Sequence, residues 1–363
     1  MTIPQPRPGI MDIAPYVGGK DTVEGVAKVS KLSSNEGALG PSPKAMAAYA
    51  RVAAELHRYP DGGSDKLREA IGKRYGLDPA RIVCGAGSDE LINLLVRAYC
   101  GPGDELLYSR HGFLMYAINA MGVGATPVAA PEKDYRTDVD AMLAKVSDKT
   151  RIVALANPNN PTGSYITRDE VNKLHAGLPK GTLLIIDAAY AEYVSRNDYD
   201  AGVELVDRSE NVVMTRTFSK IYGLGGLRLG WMYGPPHLVD VMARLRQPFN
   251  VNLAAQAAGV AALEDAAHTE ASRLHNDKWL PWLSAELNGL GLAVRPSVGN
   301  FILVGFGSAE RAAAANDAMM KDGLIPRMVG GYGLGDHLRI TIGTEDEVVA
   351  VRESLARFVA AKR

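Results

Sequence analysis

Thr217-Phe218-Ser219-Lys220, followed by Gly223-Leu224-Gly225-Gly226-Leu227-Arg228-Leu229-Gly230, is the stretch on which the rest of the chain depends. Two hydroxyl residues precede a lysine just after the apolar run Val212-Val213-Met214, and an arginine follows inside a glycine-rich segment. Hydroxyls and a guanidinium offer donors in a fixed fork, which suits a phosphate group. A lysine set among donors meant for an anion is placed to hold a phosphorylated aldehyde as a Schiff base. Lys220 therefore reads as the lysine that binds pyridoxal 5'-phosphate (PLP). The same residues read equally as a strand end, a loop and a surface lysine, so other stretches must decide.

Upstream, short apolar runs alternate with helical segments from about residue 80 to residue 215. Arg81 to Cys84 reads as a strand, then Gly85-Ala86-Gly87-Ser88 as a turn with a capping serine, then Leu91 to Tyr99 as a helix. A helix start presents free N–H groups and binds anions. Asp104 to Tyr108, Ala125 to Ala130, Arg151 to Ala156 and Leu183 to Ile186 read as further strands. Asn157-Pro158-Asn159-Asn160-Pro161-Thr162-Gly163 follows one of them as a stiff loop with its amides held in place. Asp187 ends another, at the strand edge where α/β proteins place catalytic groups, although a helix cap is the alternative. The alternation predicts an α/β fold with a largely parallel sheet.

Toward the termini the pattern changes. Residues 1 to 40 read as an extended arm, and Ser42-Pro43 as a cap with proline in the first turn of a helix reaching Leu56. Ser64 is expected to cap a helix from about Lys66 to Tyr75. Thr167 with Glu170, and Thr344 with Glu347, form capping boxes. After Pro248 helices mix with strand-like runs, which predicts a smaller α+β unit. The expected division is an arm at 1–40, a large cofactor-binding domain at 41–250 and a small domain at 251–363.

At 363 residues the chain exceeds one usual compact domain, and 47% apolar residues are enough for sizeable cores. A net charge of -1 argues against nucleic acid and against a membrane surface as partners. Cys84 and Cys100 form no CxxC pair, and the seven histidines show no ligand spacing, so no metal is expected. The cysteine usage fits a reducing cytoplasm, and Met1 to Gly9 lacks the apolar core of a signal peptide.

Read in order, the words Leu32-Ser-Ser-Asn35-Glu36, Tyr59-Pro60-Asp61, Gly87-Ser-Asp-Glu90, Asn157 to Gly163, Asp187 with Tyr190, Arg216-Thr-Phe-Ser-Lys220, Gly226-Leu-Arg-Leu-Gly230, Gly299-Asn300-Phe301 and Leu338-Arg-Ile-Thr-Ile-Gly343 resemble the fold type I PLP aminotransferases. Within them the resemblance is nearest to the histidinol-phosphate branch, and it covers the chain from Tyr16 to beyond Gly343. It implies a mainly parallel seven-stranded sheet sandwiched by helices, with a smaller α+β C-terminal domain. It further implies that Lys220 carries the cofactor and shuttles a proton, that Asp187 faces the pyridine nitrogen, and that Asn157 and Tyr190 hold the ring hydroxyl. Ala86, Gly87, Ser88, Thr217, Ser219 and Arg228 would hold the phosphate, and Phe113 would stack on the ring. Tyr59 would reach the phosphate of a second subunit, making a homodimer. Arg339 would bind the carboxylate of glutamate or the phosphate of histidinol phosphate, with Arg327, Tyr16, Asn35 and Asn157 completing the substrate pocket.

The implied reaction is amino transfer from L-histidinol phosphate to 2-oxoglutarate. An aromatic aminotransferase acting on phenylalanine, tyrosine or arogenate, and a decarboxylase of a phosphorylated amino acid, share the same words. The chain departs from the family at Gly37-Ala38, where Asn-Pro is usual, at Ala188, where Glu is usual, and at Phe113, where Tyr is common. None of these removes a catalytic group; the first lies nearest the expected substrate pocket.

Overall fold

The apolar runs of the chain's middle alternate strictly between two faces, and that alternation builds the larger sheet. The computed structural model describes residues 3–15, 18–26 and 28–361. Seven strands form the sheet: β1 (Ile82–Gly85), β2 (Glu105–Ser109), β3 (Thr126–Ala130), β4 (Thr150–Ala156), β5 (Leu183–Asp187), β6 (Val212–Thr217) and β7 (Gly230–Tyr233). Their order is β1-β7-β6-β5-β4-β2-β3. Leu107, Val153, Leu184, Ile186 and Met214 face one helical layer. Leu106, Ile152, Ile185, Val213 and Met232 face the other. Burial on both faces is what a parallel sheet covered by crossover helices requires.

One strand breaks the parallel pattern. β7 runs antiparallel to both β6 and β1, while the pairs β3–β2, β2–β4, β4–β5 and β5–β6 are parallel. Its register sets Gly230 opposite both Thr217 and Gly85. A Cβ on Gly230 would stand 2.3 Å from the Ser88 nitrogen, so only glycine lets the strand pass under that helix start.

A second sheet of four antiparallel strands follows in the chain: β8 (Ala293–Arg295), β9 (Phe301–Gly305), β10 (Arg327–Val329) and β11 (Leu334–Thr341), in the order β8-β9-β11-β10. The helices Ala266–Gly289, Ala309–Lys321 and Glu345–Ala360 pack their apolar residues on it. The arm joins this sheet's layer rather than the larger one: Ser30–Lys31 pairs in parallel with Leu324–Ile325.

Caps explain most element boundaries, and three differ from expectation. Both capping boxes are present, and Ser42 accepts from the Ala45 N–H at 3.1 Å. The helix after Ser42 ends at Val52 and tightens into a 3-10 turn, Ala53–Glu55. Ser64 sits at φ 53° and makes no side-chain cap; the Asp61 carboxylate accepts from the Gly63 and Asp65 N–H groups instead. Ser88 is the first helical residue rather than a cap, because Gly87 occupies the cap position without a side chain. No helix of the described residues is long and apolar enough to cross a membrane, and no metal-binding cluster occurs among them.

Candidate active site

The carboxyl ends of the parallel strands open onto a cavity of about 240 Å³. Of the residues expected from sequence, Ser88, Phe113, Asp187, Tyr190, Thr217, Ser219, Lys220 and Arg228 line it. The location obeys the general rule for open α/β sheets.

Asp187 closes the floor. It is the last residue of β5, in register with Ala156 and Thr215 of the neighbouring strands. Its carboxylate accepts from the Tyr116 hydroxyl at 2.9 Å and from the Thr215 hydroxyl at 3.4 Å. Burial pushes its pKa up to about 6, against the lowering effect of the Tyr116 bond. Tyr116 is fully buried and stands edge-on to Phe113, ring centroids 5.8 Å apart. Sequence reading placed Phe113 on a flat ring but missed that Tyr116 supports the acid.

Lys220 reaches the middle of the cavity. Its Nζ donates to the Ser34 carbonyl at 2.9 Å and lies 5.7 Å from the centre of the Tyr190 ring. Burial first, then the Arg339 charge, lowers its pKa to about 8. A lysine so poised is partly neutral near neutral pH, as a nucleophile or proton carrier must be. The Tyr190 hydroxyl accepts from the Asn35 amide at 2.8 Å, and Asn35 is wholly buried at φ 54°. Glu36, unforeseen in the sequence, also lines the cavity. Gly37 explains one departure from the family pattern: a Cβ there would lie 2.8 Å from the Lys220 carbonyl, so the arm settles on the lysine's own backbone.

The anion end is built from the helix Ser88–Tyr99 and the stretch after β6. Gly87 caps that helix without a side chain, and the helix's first two residues, Ser88 and Asp89, line the cavity. Arg228 stands at φ 53°; its Nη1 donates to the Ser219 hydroxyl at 3.3 Å and to the Gly225 carbonyl at 3.2 Å. Its Nη2 lies 3.7 Å from the Asp89 carboxylate. The Thr217 hydroxyl accepts from the Ser219 N–H at 3.1 Å. Ala86 and Gly87 do not line the cavity. The Ala86 N–H donates to Glu90 at 2.6 Å and that of Gly87 to the Gly85 carbonyl at 2.8 Å, so their donors are already engaged.

Asn157 stands beside the cavity, between the lining residues Ala156 and Pro158. Its buried amide donates to the Ile166 carbonyl at 3.0 Å and accepts from the Ile166 N–H at 2.9 Å. Asn160, three residues on, lines the cavity and accepts from Arg339. The loop offers three asparagines, and the one directly after the strand closes the loop's base. Arg339 is buried, donates also to the Ser33 carbonyl, and lies over the Phe301 ring at 5.5 Å. Arg327 is its cross-strand partner, and neither arginine lines the cavity itself. Tyr59 lies outside the cavity, exposed and stacked on Phe249 at 4.6 Å. Tyr16 falls outside the described residues.

The donor set tests directly against a phosphorylated pyridine aldehyde. A helix start, hydroxyls and a guanidinium gather at one end, an acid lies at the floor, an amine sits between them, and Phe113 and Ala189 offer flat walls. The arrangement fits such a group at both of its charged ends.

Comparison with known proteins agrees with this geometry. The family model described as aminotransferase class I and II matches residues 27–355. The chain is 61% identical to a histidinol-phosphate aminotransferase of Paramagnetospirillum magneticum, covering 99% of this chain and 100% of that one. It is 58% identical to a protein of the same name from Rhodospirillum centenum, covering 99% of each. Among solved structures it resembles histidinol-phosphate aminotransferase from Sinorhizobium meliloti in complex with pyridoxal-5'-phosphate, with a TM-score of 0.91 and 29% identity over 100% of this chain and 99% of that one.

Proposed function

The chain belongs to the aminotransferase class I and II family, and from that premise we propose that it moves the amino group of L-histidinol phosphate to 2-oxoglutarate, giving imidazole acetol phosphate and L-glutamate, with PLP as cofactor. The observation that carries the chemistry is the common cavity shared by Lys220, Asp187 and Arg228. The choice of substrate leans on the full-length relatives at 58% identity and above.

PLP, when bound, supplies a carbonyl that takes up the amino group and a ring that accepts electrons. The chain's own residues do the rest. Asp187 would keep the pyridine nitrogen protonated through a charge-assisted bond worth about 1.5–3 kcal/mol. Lys220, in its neutral form, would accept the proton from the substrate carbon and return it; a positioned base of this kind contributes on the order of 10²–10⁴ in rate. Ser88, Thr217, Ser219 and Arg228 would hold the phosphate. Tyr190 and Asn157 would orient the ring hydroxyl, and Asn160 would steady Arg339 at the anionic end. Phe113 would cover one ring face and exclude water. Arg339 would bind the anionic group of either substrate, with Arg327, Asn35 and Tyr16 around it.

The proposal includes a homodimer in which Tyr59, 83% exposed, reaches the phosphate held by a second copy. It keeps the division into an arm at 1–40, a large domain at 41–250 and a small one at 251–363. The free, buried Cys84 and Cys100 support a cytoplasmic setting.

The test is a half-reaction on the PLP-loaded protein without 2-oxoglutarate. L-histidinol phosphate and phenylalanine are added separately, and the cofactor absorbance reports amino-group uptake. Rapid uptake from histidinol phosphate alone is the expected result. Preference for phenylalanine would reassign the substrate, and no uptake from any amino donor would overturn the aminotransferase reading.

A further inference from the structure

A hairpin outside the cavity ties the two sheets together. Glu132–Lys133 pairs antiparallel with Arg136–Thr137, leaving Asp134 and Tyr135 as a two-residue loop. Both have positive φ, 51° and 62°, as the central positions of a type I′ turn require. Aspartate tolerates that conformation; a bulky tyrosine is disfavoured in it. The Tyr135 ring is packed on three sides. It stacks on His111 at 5.9 Å, meets His337 at 5.2 Å, and carries the Arg295 guanidinium 4.1 Å above its centre.

These partners come from both sides of the molecule. His111 precedes the turn that carries Phe113, whereas Arg295 ends β8 and His337 lies in β11. The backbone makes the same crossing. The Tyr135 carbonyl accepts from the Ser164 hydroxyl at 2.9 Å, next to the loop that holds Asn160. On the other side of that loop, the Val298 N–H donates to the Gly163 carbonyl at 2.9 Å. The base of the hairpin is fixed by Glu132, which accepts from the Ser109 hydroxyl and pairs with His111 Nδ1 at 2.7 Å.

We infer that Tyr135 is a positioning residue: it latches the smaller sheet to the Phe113 turn and the Asn157–Gly163 loop, and thereby fixes the spacing at which Arg339 meets Asn160. The inference rests on the aminotransferase reading and adds to it a residue that sets affinity for the anionic end of both substrates. Tyr135 does not line the cavity, and Lys220 and Asp187 stand on the larger sheet's side. Loosening the latch therefore weakens substrate binding and spares the chemical step.

Three variants test this. Tyr135→Asn removes the ring but keeps a residue tolerant of positive φ, Tyr135→Phe keeps the ring, and Arg295→Gln removes the cation above it. Tyr135→Asn and Arg295→Gln are expected to raise KM for glutamate and for histidinol phosphate about tenfold while kcat stays within about threefold. The resting cofactor spectrum stays unchanged, and Tyr135→Phe behaves as the parent. In the cofactor-free protein, the Val298 amide is expected to exchange about tenfold faster in Tyr135→Asn than in the parent or Tyr135→Phe. Unchanged KM values and unchanged Val298 exchange in folded Tyr135→Asn, or failure of Tyr135→Phe to restore them, would overturn the latch. If Tyr135→Asn does not fold, Arg295→Gln decides by the same two measurements. A parent protein inactive with every amino donor would sink the aminotransferase reading instead, and the exchange rates would still judge the latch.

Discussion

Asp187 serves two opposed demands, and pH separates them. Burial raises its pKa from 3.8 to about 6. Between those values the folded state holds more protons than the unfolded one, so its contribution to stability falls as pH rises through that window and the ionised form is at its full disadvantage above about 6. Two units correspond to about 3 kcal/mol at most. Asp187→Asn should therefore stabilise the cofactor-free protein at pH 7.5, and stabilise it less at pH 5, in urea unfolding curves. The same change should lower turnover by roughly ten- to a hundredfold, through loss of the charge-assisted bond. A cofactor-free variant no more stable than the parent at pH 7.5 would contradict this account. The two asparagines of the next loop make a paired test. Asn157→Ala strips both partners from the Ile166 backbone and should cost about 1–3 kcal/mol of stability. Asn160→Ala should leave the melting temperature nearly unchanged and raise KM, read from steady-state rates. Here the sequence was legible only in part. It shows that the loop's asparagines matter, but which one turns inward depends on where β4 ends and on the Ile166 contact nine residues away, which spacing alone does not reveal.

Elements whose signals are local were the readable ones. The capping boxes at Thr167 and Thr344 and the apolar runs of β2 to β6 all follow from neighbours in the chain. β7 was not readable, because Gly230-Trp231-Met232-Tyr233 is short and its antiparallel place between β1 and β6 is set by distant partners. Ser64 misled for the same reason: its residue type suits a cap, yet Asp61 performs the task. The strand that escaped notice carries a sharp consequence for the anion end. A Cβ on Gly230 would meet the Ser88 nitrogen at 2.3 Å and the Gly87 carbonyl carbon at 2.5 Å, backbone against backbone. Gly230→Ala must therefore displace the start of the helix Ser88–Tyr99. It should weaken PLP binding by about tenfold or more and cost about 1–3 kcal/mol of stability. Gly181→Ala, where a Cβ would meet nothing within 4 Å, is the control and should change neither. Titration of the cofactor-free proteins with PLP, and their thermal unfolding, distinguish the two outcomes.

At the scale of the molecule, the sheet class and the place of the cavity followed from the sequence, since both depend on the order of elements along the chain. What covers the outer surface did not, because exposure is a property of the folded chain. Met46 is 59% exposed, Tyr49 50%, Leu56 68%, Tyr59 83% and Phe249 43%. Met46 and Tyr49 flank an apolar groove with Pro41, Leu224 and Leu227, and Gly223 and Gly226 of the lysine stretch form its other wall. So many large apolar side chains lying beside the groove and beside Tyr59 mark a surface that favours association. The proposed dimer requires that a second copy seated there bring its Tyr59 toward the first copy's anion end. Met46→Glu places a charge in the middle of that contact, where burial of an unpaired carboxylate is strongly unfavourable. The parent should sediment as a dimer at micromolar concentration. Met46→Glu should sediment as a monomer and bind PLP more weakly, although Met46 does not line the cavity. Tyr59→Ala should remain dimeric and lose only the contact to the phosphate, so its PLP affinity falls without dissociation. A parent that is monomeric and fully active in the sedimentation and turnover measurements would remove both the dimer and the role of Tyr59.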